Sequence, residues 1–413
     1  MKLTYRHTAI GCCLGMITQA IVSNLAPILF IIFKENYSLT DEQLGRLIVF
    51  NFGTQIVADL IATKYCDRLG HRFFVVLAHT MCALGLISIS LLPGILPSAY
   101  AGLCIAAVIY AFGGGIIEVC VSPIVESLPG NEKARMMSLA HSFYCWGQMA
   151  TVAITTIAIW LIGRSVWRII PLAWAIIPIF NLIFLSKVPM QPSIPEEKRT
   201  PIKELFNNRV FIIGMLMMIA SGSSELSMSQ WASLFVEESL GVSKVMGDLL
   251  GPCLFAFTMA LTRVFFGIYG ERISLEKSLL FSSIMCVVCY LMAVFFPPLT
   301  LPGCALSGFT VAIMWPGTLS AGAKRFPLAG TALFGLYAIC GDIGCSIGPW
   351  IAGFVSDIVN ANEKLVSLGM SLGWSKPSVG LRTGLLASTI FPAMLVVCSI
   401  ILLRGKVKDK TTI

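Results

Sequence analysis

The sequence predicts an all-α membrane protein of twelve transmembrane helices, arranged as two six-helix bundles related by a pseudo-twofold. Three observations predict it. The chain is 56% hydrophobic and only 12% charged, with a mean hydropathy of +0.84; a soluble domain carries about 25% charged residues. Twelve apolar runs are each long enough to cross a bilayer, which takes about 20 residues. The first six runs are weakly echoed in the last six, on either side of one long charged interruption.

The runs fall at 8–33, 43–63, 73–92, 99–127, 136–162, 167–187, 209–236, 246–268, 276–296, 301–322, 329–356 and 381–404. The first is about twice the length of a signal-peptide core and lacks a small-residue cleavage site, so it reads as a span. Pro27, Pro123, Pro178, Pro252, Pro316 and Pro349 lie inside runs, which membrane helices tolerate when neighbours satisfy the freed backbone groups. Most of the fourteen cysteines sit mid-run and act there as small apolar residues. Cys286 and Cys289 form C-V-V-C, but in an apolar helix without a second pair, so no metal or other cofactor is expected.

Twelve spans put both termini on one side. With the N-terminus inside, twenty Lys and Arg fall in inner segments and eight in outer ones, with Arg263 inside a span. The positive-inside rule then puts both termini in the cytoplasm. The net charge of +8 is therefore a topology signal and not a nucleic-acid surface. The interruption, Q-P-S-I-P-E-E-K-R-T-P-I-K-E-L-F-N-N, is rich in Pro and charge and reads as a cytoplasmic linker with a short surface helix at 201–207. The expected layout is an N-terminal bundle over 1–188, a linker over 189–208, a C-terminal bundle over 209–404 and a tail over 405–413.

Two segments carry the repeat. T-K-Y-C-D-R-L-G-H-R (63–72) follows the second run and G-I-Y-G-E-R-I-S-L-E-K (267–277) the eighth. Asp67-Arg68 aligns with Glu271-Arg272, Asp59 with Arg263, and Gln148 with Asp342. Six-plus-six repeats with a midplane site are a transporter signature.

The first of these segments resembles the loop motif of the major facilitator superfamily, G-x-x-x-D-R-x-G-x-[RK]. Asp67, Arg68, Gly70 and Arg72 match, while Thr63 stands in place of the first Gly. In the second copy Gly267, Glu271 and Arg272 match. The resemblance implies that Asp67, Arg68, Arg72, Glu271 and Arg272 gate the cytoplasmic side. A narrower resemblance is to the fucose/galactose/glucose:proton symporter family. Gly113, Gly115, Glu118, Pro123 and Val125 match its fourth-helix pattern, with Ser122 in place of an Asn. Leu139, Ala140, His141, Phe143 and Gly147 match the fifth. Gly222, Glu225, Ser227 and Trp231 follow the seventh with one extra residue. Arg263 matches the Arg of the eighth. Pro349, Gly353 and Asp357 match the eleventh, with Cys345 in place of its first Gly. The family's first-helix acid falls near Ser23-Asn24 and is absent, leaving Asn24 as the substrate-facing candidate there.

The ionisable residues inside the runs are the candidates for chemistry, because each is expensive in lipid and must face protein or a water-filled cavity. Glu118, at a cost of roughly 2.5–3.5 kcal/mol in a bare span, shares a face with Ala111, Gly114, Gly115 and Ser122 by the i, i+3, i+4, i+7 rule. Desolvation favours the protonated form of a carboxyl, so proton coupling is expected at Glu118; a structural ion pair is the plainer alternative. Glu225 and Trp231 are expected to contact a sugar, the carboxylate through hydroxyls and the indole through a C–H face, with Glu225 also able to handle a proton. The plainer reading there is a packed Trp and a carboxylate paired within its own bundle. His141, Tyr144 and Gln148 form one stripe of donors and acceptors without fixed charge, suited to a neutral polyol, and Asp342 takes the repeat-equivalent place of Gln148. Asp59 and Arg263 read as gating or packing charges, each expected to have a partner of opposite sign.

Nucleophile elbow, P-loop, dinucleotide fingerprint and H-E-x-x-H are all absent from the sequence, so an enzyme is not expected and an ion or substrate gradient must supply the energy. The reading is a secondary carrier of a bacterial-type inner membrane. It takes up a neutral sugar or sugar derivative with protons by alternating access, works as a monomer in the bilayer, and binds substrate near the midplane between the halves. The alternative is a proton antiporter exporting organic cations or drugs.

Overall fold

The computed structural model describes residues 3–404 apart from Thr40, Glu132, 193–196 and 198; the side chains at 31, 41, 42, 45, 244, 271 and 404 also lie outside the described residues. The expected linker is thus described only in part, and the expected tail 405–413 lies outside it. Every regular element among the described residues is helical. Eleven of the helical segments are long and apolar enough to cross a membrane, and the shorter Ile169–Leu185 completes the twelve.

In chain order the helices are α1 (Tyr5–Ile28), α2 (Phe30–Tyr37), α3 (Asp41–Leu69), α4 (His71–Ile95), α5 (Ala99–Ser127), α6 (Lys133–Ile162), α7 (Ile169–Leu185), α8 (Ile202–Asn207), α9 (Arg209–Leu240), α10 (Lys244–Asp248), α11 (Leu254–Tyr269), α12 (Leu275–Phe295), α13 (Thr300–Val311), α14 (Met314–Arg325), α15 (Thr331–Asn360), α16 (Glu363–Ser371), α17 (Val379–Ser388) and α18 (Ile390–Arg404). The short helix α8 lies where a surface helix is expected.

Several apolar runs are broken into two helices, with a proline close to each break. A proline lacks the N–H that its helix owes to the carbonyl four residues back. Pro27 precedes the α1–α2 break at Leu29, and Pro316 follows the α13–α14 break at Ala312–Ile313. Pro252 lies in a π-turn, Leu249–Cys253, that joins α10 to α11; such turns absorb a lost hydrogen bond.

The chain divides into two compact units. The first comprises Met1–Pro201 together with Phe326–Ile339. Its centre is α5, which packs on α1, α3, α4 and α6; two thirds of its apolar window (67%) is buried, against 22% for α6. The seam between α4 and α5 is close because glycines remove side chains from it. A Cβ on Gly113 would lie 2.4 Å from the Ala78 carbonyl oxygen, and one on Gly85 would lie 2.5 Å from the Tyr110 backbone nitrogen.

The second unit comprises Ile202–Arg325 and Cys340–Ile413. Here α9 packs on α13, α14, α17 and α18. It also meets α15 across a small-residue stripe: a Cβ on Gly341 would strike Trp315, and those on Gly344 and Gly348 would strike Ile219 and Ser223 of α9. Small residues of this kind let membrane helices approach without a hydrophobic driving force between them.

Close approach and open space predict opposite effects for the same substitution. Gly113→Ala forces its methyl into backbone atoms of α4 and is expected to destabilise by about 1–3 kcal/mol. A Cβ on Gly53 of α3 meets nothing within 4 Å, so Gly53→Ala is expected to stabilise by about 0.5–1 kcal/mol through helix propensity. Thermal unfolding of the two purified variants in one detergent checks the sign of each.

Candidate functional site

In the first unit the chemistry gathers on one face of α5. The Gln19 amide of α1 donates to the Glu118 carboxylate at 3.1 Å. One turn on, Ser122 of α5 and His141 Nε2 of α6 are hydrogen-bonded at 3.1 Å. One turn back, Gln19 Oε1 and Gln55 Nε2 both abut Gly114, 2.9 and 3.5 Å from where its Cβ would be, and Asp59 Oδ1 abuts Gly115 at 2.8 Å. The face predicted for Glu118 is therefore the one that meets α1, α3 and α6. The glycines matter because any side chain at 114 or 115 would displace Gln19, Gln55 or Asp59 from it.

Burial separates these groups. Gln19, Gln55, Asp59 and His141 are all buried, and Asp59 is fully so. Tyr144, Gln148 and Asn24 are half-buried. Asn24 gives one N–H of its amide to the Ala20 carbonyl of its own helix at 2.8 Å, which leaves a second donor. His79 is fully buried away from this face, between the Val75 carbonyl at 2.6 Å and Asn181 at 2.7 Å.

In the second unit Glu225 of α9 and Arg263 of α11 form a buried ion pair at 3.3 Å. Arg263 Nε also donates to the Ala312 carbonyl at 2.8 Å. That carbonyl is the one orphaned by Pro316, so the arginine supplies the hydrogen bond that proline cannot. The charge partner expected for Arg263 is thus Glu225, the plainer reading of that carboxylate. Trp231 gives its indole N–H to the Pro349 carbonyl at 3.0 Å and covers Gly353 of α15. Asp342 is buried on the same helix.

The loop-motif residues of the first copy fall at one end of the first unit. Asp67 accepts from the backbone N–H of Thr331 at 3.0 Å and from its hydroxyl at 2.5 Å. Arg199 and His71 lie 3.6 and 3.9 Å from the same carboxylate. Thr331 opens α15, and a carboxylate at a helix N-terminus satisfies an otherwise unpaired N–H and meets the positive end of the dipole. Thr63, the departure from the motif's first Gly, fits because its neighbour is Gly335: a Cβ there would sit only 1.7 Å from the Thr63 hydroxyl. Arg72 caps the end of α7 through the carbonyls of Leu185, Ser186 and Val188. Arg68 and Arg272 are exposed, and the Glu271 side chain lies outside the described residues.

Sequence reasoning passed over three contributors. Gln19 and Gln55 are polar residues inside apolar runs, and that was the available signal. Arg382, near the start of the last apolar run, is buried at 1% exposure and caps α12 through the carbonyls of Ala293 and Val294. It also lies over the rings of Phe235 and Trp374. Its place at the margin of an apolar run gave no sign of burial.

A family model described as Major Facilitator Superfamily matches residues 11–349, and the chain belongs to that superfamily. It is a multi-pass membrane protein of the transporter class. It is 22% identical over 335 residues to the membrane protein MosC of Rhizobium meliloti, covering 81% of this chain and 80% of MosC. Among solved structures it superposes on the E. coli fucose:proton symporter FucP with a TM-score of 0.73 at 16% identity, covering 95% and 98% of the two chains. It superposes on the proton:xylose symporter XylE bound to 6-bromo-6-deoxy-D-glucose with a TM-score of 0.77 at 12% identity, covering 97% and 95%. At these identities the likeness is one of fold.

The ion pair makes a stability prediction. Removing one member of a buried pair leaves the other charge uncompensated, at a cost of about 3–5 kcal/mol. Glu225→Leu and Arg263→Met are each expected to lower the unfolding temperature sharply, Arg263→Met also by freeing the Ala312 carbonyl. The double variant is expected to recover a large part of the loss. A double-mutant cycle by thermal unfolding measures the coupling.

Proposed function

We propose that the protein is a proton-coupled symporter that takes up a neutral sugar or sugar derivative through a bacterial inner membrane, with both termini in the cytoplasm and Glu118 as the proton carrier. The observation that carries this reading is the hydrogen bond between Glu118 and Gln19. A glutamine amide has both donor and acceptor ends. It can donate to the carboxylate and, turned over, accept from the carboxylic acid. Glu118 is therefore satisfied in either protonation state, as a carrier that loads and unloads needs to be. Glu225 differs, because it is held in a buried ion pair with Arg263. We accordingly assign proton coupling to Glu118 and a fixed structural charge to Glu225.

The sugar side of the proposal is supported by the half-buried Tyr144 and Gln148 and by His141 on α6, which offer neutral donors and acceptors, and by a fold shared with two sugar:proton symporters. Asp67, with Thr331, Arg199 and His71 around it, is proposed as a latch.

The test is uptake into proteoliposomes across a sugar panel, with pH and sodium gradients imposed separately. Accumulation should follow an inward proton gradient and rise as the outside is acidified. Glu118→Gln should abolish pH-driven accumulation and keep substrate counterflow within about twofold. Equal loss of both would make Glu118 a binding or folding residue, and outward coupling to the proton gradient would instead favour export of organic cations.

A further inference from the structure

On helix α3 the residues Asn51, Gln55, Asp59, Thr63 and Asp67 follow one another at intervals of four, and so form one stripe along the helix. Asn51, Gln55 and Asp59 are all buried, at 7%, 2% and 0% exposure. In an apolar span a single stripe of five polar side chains is far from the expected pattern. Gln55 joins the stripe to the Glu118 face, because its amide nitrogen and Gln19 Oε1 abut the same glycine, Gly114, and Asp59 abuts the next, Gly115. The far end of the stripe is Asp67, where His71, Arg199 and Thr331 gather.

The second observation is that four polar atoms along this line meet no protein hydrogen-bonding partner. Gln19 Oε1, Asn51 Oδ1, Gln55 Nε2 and Thr63 Oγ1 are buried without a hydrogen-bonding partner. Such atoms are normally satisfied, and where protein does not do so an ordered water does. Successive members of the stripe are about 6 Å apart along the helix axis. That is too far for direct contact and suits bridging by one water.

We propose that this stripe is a hydrated proton path through the first unit, with Asp59 as the relay carboxyl between Glu118 and the end of α3 that bears Asp67. The inference rests on the proton-coupling role proposed for Glu118 and extends it by naming the route and a second titrating group. Each passage moves one proton. Glu118 in its acid form gives its proton to a neighbouring water, which passes one on to the Asp59 carboxylate; Asp59 in its acid form then releases a proton through water toward the Asp67 end. One proton leaves and one arrives, and no other bond changes. The amides of Gln19 and Gln55 and the Thr63 hydroxyl hold the waters and need not ionise. The other titratable groups around Asp59 are Cys66 and Asp67 on its own helix, Glu118 and Cys120 on α5, and His71 on α4. Cys120 lies within electrostatic reach of both Asp59 and Asp67.

The test uses the full chain without any substrate, so that it is independent of whether sugars are carried. Infrared difference spectra of the purified protein between pH 5 and 8 assign the Glu118 carboxyl band by its loss in Glu118→Gln. The rate at which that band responds to a pH jump is then measured. Asp59→Asn is expected to slow the response at least tenfold while leaving the band's end points in place, and Asp59→Glu to restore the rate. Gln55→Leu, which keeps the carboxyl but removes its water-holding neighbour, is expected to slow the response as well, and serves if Asp59→Asn does not fold. An unchanged rate in both Asp59→Asn and Gln55→Leu overturns the relay. So does failure of Asp59→Glu to restore it, or the absence of any Glu118 band in this pH range. A normal relay beside an inactive sugar panel would leave the path standing and reject the sugar assignment alone.

Discussion

A polar group inside an apolar span has no water to fall back on, so its fate depends on how near a second helix can come. Leaving a buried donor or acceptor unmet costs about 1–3 kcal/mol, and a carboxylate costs more. In the first unit the approach is made possible by three consecutive glycines, Gly113 to Gly115. Gly113 lets α4 lie against the backbone of α5, and Gly114 and Gly115 make room for Gln19, Gln55 and Asp59. Without that room, Gln19 could not hold its place against the helix that carries Glu118.

The second unit meets the same constraint in another way. Proline breaks α13 from α14 and leaves a carbonyl open; Arg263 fills it and is in turn held by Glu225. A backbone fault, a cation and a carboxylate thus form one structural element. Arg382 does similar work at the end of α12, with its charge over two aromatic rings and against the negative end of a helix dipole. The two units, alike in sequence repeat, have therefore put their interior charges to different uses. Glu118 sits beside an amide that suits either protonation state, and Glu225 sits beside a fixed positive charge.

The loop motif shows how a departure can be compensated. Thr63 replaces the motif's first glycine, and the space is recovered at Gly335, more than 270 residues later in the chain. Asp67 accepts the first N–H of α15 and the hydroxyl beside it.

The sequence by itself determined the class of fold, the number of spans and the superfamily, because hydropathy, span length and motif spacing are local properties of the chain. It also marked Arg263 as a charge needing a partner. Only the tertiary structure decided which partners meet. Gln19 meets Glu118, Glu225 is the counter-charge of Arg263, and Gln55 and Asp59 meet the glycines of α5. The reason is physical: a hydrogen bond or ion pair depends on a separation of a few ångströms between helices remote in sequence. That separation is set by how small residues and proline breaks on both helices fit together, and no single stretch of chain contains it.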